Sequence, residues 1–250
     1  LLSRRQRQMC IRDRITILRD GVVIVDGVPM SEKTDEEIVS DMLGEKLNAE
    51  EKKRKDSNAF ESSAEVLSIS FDGYDGELTV KEGEIVGLAG LAGSGRSSVL
   101  RTIWGTKPRS DIHLRYLGEE YKPKNPMYAL KKKIAYISED RSESGLFFGQ
   151  PIKETVLMAH RNLQRKLFAK NKSEDKLLGQ IIGEVQIKVP THECMPEALS
   201  GGNQQKLLFG RWITDEAKLL LLDEPTRGVD IKTKHEIYQR VRNMVEANNA

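Results

Sequence analysis

LSGGNQQKLLFGRWITDEAKLLLLDEPTRGVD, residues 199–230, sets two anion-handling devices on one helix and one strand. Residues 219–222 are consecutive leucines, the short apolar run that a strand buried on both faces needs, and Asp223, Glu224 and Pro225 follow at once. Two carboxylates therefore stand at the C-terminal end of a strand, where an open parallel α/β sheet keeps its ligand. Upstream, Ser200, Gly201 and Gly202 open a run whose apolar positions Leu207, Leu208, Trp212 and Ile213 recur at helical spacing. Small residues at a helix start leave its first N–H groups, which lack partners within the helix, open to an anion. Either half alone would suit an ordinary turn or core strand. Their order and spacing together point to phosphate chemistry.

An independent pattern lies upstream. Residues 83–89, GEIVGLA, read as an apolar strand running into Gly90, Leu91, Ala92, Gly93, Ser94, Gly95, Arg96, Ser97 and Ser98, with a helix over 99–104. Strand, Gly-rich loop and helix form the context of a P-loop, G-x-x-x-x-G-K-[ST], in which backbone N–H groups turn inward around phosphates. One position departs from that pattern, because Arg96 stands where Lys is expected. Arginine keeps the charge and can fork onto phosphate oxygens, but it is bulkier and planar, not an equivalent point charge. Nucleotide binding is expected to survive this change; fast hydrolysis is not.

The order SGG, helix, apolar strand, DEPT resembles the signature motif and Walker B region of ATP-binding cassette proteins. The signature would comprise Leu199, Ser200, Gly201, Gly202, Asn203 and Gln204, and the D-loop position would fall on Gly228, Val229 and Asp230. Residues 134–138 read as a strand by their alternation, followed by Glu139, Asp140 and Arg141. Family members carry at that strand end a Gln that contacts metal and water, and Glu139 stands in its place. YISEDR at 136–141, SGL at 144–146, the Arg-substituted P-loop and LSGGNQQK at 199–206 together resemble the second nucleotide-binding domain of bacterial sugar importers of the ribose, galactose and xylose type. The resemblance covers residues 15–250. It implies an α/β fold, a P-loop NTPase (ABC ATPase) core with an α-helical subdomain at about 140–200, cut at both ends.

Composition restricts the alternatives. The 38% hydrophobic content is enough for a core, and no apolar run approaches the roughly 18–20 residues of a membrane helix. Five arginines and one aspartate in residues 1–14 supply +4, so the net +2 of the chain leaves the remainder at −2 and gives no basic nucleic-acid surface. That segment lacks the apolar core of a signal peptide, and RQRQMCIRDR resembles translated adapter read-through; it is set aside as a non-native tail, a disordered native basic arm being the alternative. The two cysteines, Cys10 and Cys194, fit a reducing compartment rather than a disulfide framework, and His192 beside Cys194 reads as a surface loop.

Residues 15–18 and 22–25 flank a DG turn and read as a hairpin, followed by a helix capped by Thr34, with Gly44 as its C-cap. By resemblance, residues 15–47 are the tail of a preceding nucleotide-binding domain. The charged stretch 48–58 reads as a linker, and 59–250 as a second nucleotide-binding domain incomplete at its C-terminus. Residues 66–71 and 77–80 read as strands, 152–168, 173–185 and 232–245 as helices, and Arg165, Lys166, Lys170 and Lys172 as a solvated face.

The resemblance implies roles. Residues 90–98 would hold the phosphates of ATP; Ser97, Asp223 and Glu139 would serve Mg²⁺; Glu224 would be the general base; Phe71 or Tyr74 would stack on adenine or belong to the core. The signature would close over the nucleotide of another cassette. Implied partners are ATP, the preceding nucleotide-binding domain, transmembrane permease subunits and, indirectly, a periplasmic or surface sugar-binding protein, at the cytoplasmic face of the membrane. Two alternatives stand beside this: a soluble twin-cassette ATPase acting on ribosomes or DNA, and a cassette that binds nucleotide for regulation with weak hydrolysis.

Overall fold

The computed structural model describes residues 14–19, 22–43, 60–91, 93–164, 172–187, 189, 191–212 and 217–248. Asp20, Gly21, Gly44, Cys10, Ala92, Arg165, Lys166, Lys170 and Ile213 lie outside them, as do the linker and the first thirteen residues. The chain divides into two units, Leu1–Asp56 and Ser57–Ala250.

In the first unit, β1 (Arg14–Arg19) pairs antiparallel with β2 (Val22–Pro29), with register shifts on either side of Ile17. Ile17 is buried, and a helix, α1 (Asp35–Leu43), lies against β1. The cap of α1 is reciprocal: Thr34 Oγ1 accepts from Glu37 N (3.2 Å) while the Glu37 carboxylate accepts from Thr34 N (2.8 Å). The bonds donated to the Glu37 carboxylate by Thr34 N and by Thr34 Oγ1 (3.1 Å) hold it below its ordinary value, the backbone one most.

The second unit is layered. Strands β3 (Glu65–Phe71) and β4 (Tyr74–Lys81) form a hairpin, and β3 also pairs antiparallel with β5 (Ile112–Tyr116). Between them in sequence runs helix α2 (Arg96–Trp104); β6 (Glu119–Glu120) then completes a four-stranded sheet in the order β4-β3-β5-β6. After α3 (Pro126–Lys131), β7 (Ile134–Ile137) enters, followed by helices α4 (Ile152–Gln164), α5 (Lys172–Glu184) and α6 (Gly201–Gly210). Strand β8 (Leu219–Leu222) pairs in parallel with β7, Ile134 opposite Leu219 through Ile137 opposite Leu222, and α7 (Ile231–Asn248) follows.

The β7–β8 pair separates two cores, and its two-residue period divides its side chains between them. Ile134, Leu219 and Leu221 join the core built on β3 and β5. Ala135 and Ile137 join the helical core of Leu157, Leu178, Leu207 and Phe209, against which Leu220 and Leu222 pack. This is the two-sided burial that the leucine run predicts. No helix among the described residues is long and apolar enough to cross a membrane.

One expectation fails. Residues 83–89 have no strand geometry, although their composition reads as a strand. The reason is pairing: a strand needs a neighbour to satisfy its N–H and C=O groups, and none of the three sheets places one beside this segment. A cavity of about 590 Å³ lies instead between Val86 and Leu88 on one side and β8 on the other, with Val80 and Ile103 also in its wall.

Candidate functional site

The Gly-rich loop reaches α2 through backbone that only glycine adopts freely. Gly95 has φ +93° and is the N-cap of α2, with no side-chain cap on the helix. The N–H groups of the first helical turn, Arg96 to Ser98, are therefore left for an external acceptor. Gly93 has φ +82° on the same approach.

The other half of the site comes from β8. Its ladder continues one residue beyond the strand, Asp223 N donating to Ile137 O (2.9 Å), and this fixes the Asp223 backbone at the end of both strands. The Asp223 side chain is buried at 3% exposure and fully engaged. Ser97 Oγ donates to its Oδ1 (2.8 Å), and the Tyr136 hydroxyl donates to its Oδ2 (3.0 Å). Burial pushes the Tyr136 phenol up from its ordinary value, against the pull of Arg101 and aided by the Asp223 charge, so Tyr136 stays a neutral donor. Glu224 follows with φ +45°, a left-handed conformation uncommon for a side chain of its kind. Arg96 Nη2 donates to Glu224 Oε1 at 3.2 Å.

The loop at 93–98 and the acidic pair thus meet directly, through Ser97 with Asp223 and Arg96 with Glu224. Glu139 does not join them: its carboxylate is ion-paired with Arg227, whose N–H also donates to Glu224 O (3.0 Å). Arg96, Asp223 and Glu224 line the cavity beyond the end of β8, but most of its wall is apolar, so phosphate would be held at the loop rather than in its depth.

The Ser97 hydroxyl and the Asp223 carboxylate offer hard oxygen donors side by side, which suits Mg²⁺, an ion that takes one or two protein oxygens and completes its shell with phosphate and water. Among the described residues no cluster of three or more His, Cys, Asp or Glu could hold a metal without such help. Cys194 is a free thiol, pushed up mainly by burial.

The residues at the expected signature position start α6. Ser200 is its N-cap, Oγ accepting from Asn203 N at 3.4 Å, and Leu199 is buried in the helical core. Gln204 Nε2 donates to Pro196 O (2.9 Å). At the D-loop position Gly228 has φ +67°, and Asp230 caps α7 by accepting from Thr233 N and Thr233 Oγ1, both at 2.8 Å. Burial raises the Asp230 carboxyl, but these bonds outweigh it and hold the group below its ordinary value. Phe71 packs against the β3–β5 core, whereas Tyr74 is exposed. Sequence reasoning missed Tyr136 and Arg227; the alternation of β7 carried a signal for Tyr136, since a tyrosine on a buried strand needs a hydrogen-bond partner.

Comparison with known proteins agrees with this arrangement. The sequence profile of the ABC transporter family matches residues 75–227. The chain is 34% identical over 249 residues to the ribose import ATP-binding protein RbsA of Oceanobacillus iheyensis, covering 98% of this chain and 50% of that protein. It is 36% identical over 235 residues to the galactose/methyl galactoside import ATP-binding protein MglA of Fusobacterium nucleatum, covering 92% of this chain and 47% of the relative. The chain therefore spans about half the length of the curated relatives it matches. Among solved structures, a nucleotide-free ATP-binding cassette from an ABC transporter superposes with a TM-score of 0.60 at 18% identity, over 73% of this chain and 78% of the other. With the profile covering more than half of its length, and with a P-loop that meets an acidic pair at the end of a buried strand, the chain belongs to the ABC transporter family.

Proposed function

We propose that this chain is part of the ATP-binding subunit of an importer that couples ATP binding and hydrolysis to monosaccharide uptake. The convergence of Ser97 and Arg96 on Asp223 and Glu224 carries the reading, because it brings phosphate-binding loop, metal-binding oxygens and a candidate base to one place. The sugar class is taken from the relatives, whose names specify ribose and galactose import. The subunit would sit peripherally on the cytoplasmic face of the membrane, against permease subunits that receive solute from a sugar-binding protein. Residues 15–47 would close a preceding cassette in the same protein, and residues 59–250 would form a second cassette, with α4 and α5 in the subdomain that faces the permease.

Backbone N–H groups from Gly90 to Ser97 and the Arg96 guanidinium hold the triphosphate in this reading. Ser97 and Asp223 would hold Mg²⁺, which neutralises phosphate charge when bound. Glu224 accepts a proton from the attacking water as the bond to the leaving ADP breaks, yielding ADP and phosphate. Glu139 would join the metal site only after leaving Arg227. Leu199 to Gln204 would close over the nucleotide of the other cassette, flanked by Gly228, Val229 and Asp230. Tyr74 is the better adenine platform, since Phe71 is committed to the core.

Arg96 gives a second reading specific support, namely a cassette that binds ATP and hydrolyses it slowly, because the Arg96–Glu224 pair engages the candidate base. The test is reconstitution of the full-length protein with its permease in vesicles. ATP-dependent monosaccharide uptake, reduced at least tenfold by Ser97→Ala, is expected. Co-purification with ribosomes instead of a permease would refute the importer, and uptake unaffected by Glu224→Gln would favour the slow-hydrolysis reading.

A further inference from the structure

The turn after β7 holds the signature helix at both of its ends. Asp140 organises this turn: its Oδ1 accepts from Ser142 N (2.7 Å) and Glu143 N (3.0 Å), and its carbonyl accepts from the hydroxyls of Ser138 (3.0 Å) and Ser144 (2.9 Å). Leu146 N closes back onto Arg141 O at 2.7 Å. A Cβ on Gly145 would fall 2.8 Å from Arg141 Cα, so the turn is wound as tightly as glycine permits. From it, Arg141 Nη1 donates to the carbonyl of Gly201, the first residue of α6, at 3.0 Å. At the other end of α6, Arg211 donates through Nη2 to Gly145 O and through Nε to Thr155 O (3.0 Å).

Arg141 has a second neighbour. A Cβ on Gly201 would lie 3.2 Å from Arg141 Nη2, and a Cβ on Gly228 would lie 3.5 Å from the same nitrogen. The two glycines leave room for one guanidinium between the start of α6 and the loop that follows β8. Helix stability does not account for this placement, because a cation at a helix N-terminus opposes the macrodipole. Among the described residues Arg141 makes no ion pair that would offset it. What the contact does supply is a fixed spacing between two segments that flank the nucleotide in the proposed function.

We propose that Arg141 is a positioning residue for ATP hydrolysis, setting the first turn of the signature helix and the Gly228 loop at one spacing. It touches no reacting atom. Its guanidinium donates to the Gly201 carbonyl with one nitrogen and lies beside Gly228 with the other, where a lysine would keep only the Gly201 contact. The inference rests on the ATPase reading, so its test has one readout that needs no turnover.

In the full-length protein, hydrogen exchange of peptides covering residues 199–204 and 226–230 is compared among wild type, Arg141→Ala and Arg141→Lys, with a β3 peptide as internal reference. In Arg141→Ala residues 199–204 are expected to exchange about fivefold faster or more through loss of the guanidinium bond to Gly201 O, and residues 226–230 about fivefold faster through loss of the guanidinium packed beside Gly228, with β3 unchanged. Arg141→Lys, which keeps charge and stem and guards against a variant that fails to fold, should restore 199–204 but not 226–230. The ATPase kcat of Arg141→Ala should fall about tenfold or more with KM within twofold, as misplacement of positioning groups predicts. Unchanged exchange in either segment, or a kcat within twofold of wild type, overturns the proposal. Absence of any ATP hydrolysis in wild type defeats the functional reading instead, while the exchange comparison still decides the positioning role.

Discussion

With Glu224 as the base proposed above, Glu224→Gln separates its effect on nucleotide affinity from its effect on hydrolysis. The substitution keeps shape and backbone strain and removes the charge that holds Arg96 at 3.2 Å. A bare Coulomb estimate for such a pair is about 5 kcal/mol at an effective dielectric of 20. The side chains are 34% and 42% exposed, however, so solvent screening reduces the pair to the range of surface ion pairs, about 0.2–1 kcal/mol. A triphosphate that recruits Arg96 must first give up this contact. The variant should therefore bind ATP about 1.4- to 5-fold more tightly than wild type, while hydrolysis at this site falls about a hundredfold with loss of the base. A photo-crosslinking ATP analogue, titrated against the full-length protein and quantified on the peptide carrying residues 90–98, reads this site alone. The gain should shrink at 1 M salt, where the screening length is about 3 Å, and vanish in an Arg96→Ala background. No gain at low salt, or an equal gain without Arg96, would refute the reasoning.

Three further outcomes are expected. Ser97→Ala should raise the Mg²⁺ concentration needed for ATP binding severalfold in a metal titration and leave the folded state within about 1 kcal/mol, since it removes one hydroxyl from a carboxylate that keeps Tyr136. Tyr136→Phe should lower stability in urea by about 1–3 kcal/mol, because it leaves a buried Asp223 oxygen without its donor while preserving the ring contact with Trp104. Arg211→Ala should lower stability by about 3–5 kcal/mol. Burial holds its guanidinium down at about 10, yet still cationic at neutral pH, and the substitution strips donors from two interior carbonyls at once.

Much of the arrangement was legible in the chain itself, because it rests on local signals. Four leucines followed by two acids specify a buried strand with carboxylates at its end, and Thr34 with Glu37 specifies a reciprocal helix cap. The resemblance of the Gly-rich loop and the acidic pair to an ATP-binding cassette implied the meeting of Arg96 and Ser97 with Asp223 and Glu224. Three features were not legible, each for a non-local reason. Residues 83–89 have strand composition, but strand geometry depends on a neighbour that periodicity does not report. Glu139 sits at the strand end expected of a metal ligand, and Arg227, distant in sequence, takes its carboxylate. Arg141 enters the sequence only as the end of the YISEDR run, with no role assigned until Gly201 and Gly228 are seen to make space for it.

The chain contains two tryptophans, and they touch. Trp104 ends the helix that begins at the Gly-rich loop, stacks on Tyr136 with ring centroids 5.8 Å apart, and meets the edge of Trp212 at 5.9 Å, just past the end of α6. The protein thus carries an optical gauge of its own. A tilt of α2 relative to α6 changes the electronic surroundings of both indoles together, so the near-ultraviolet dichroism and emission of the unlabelled chain follow that angle with no dye attached.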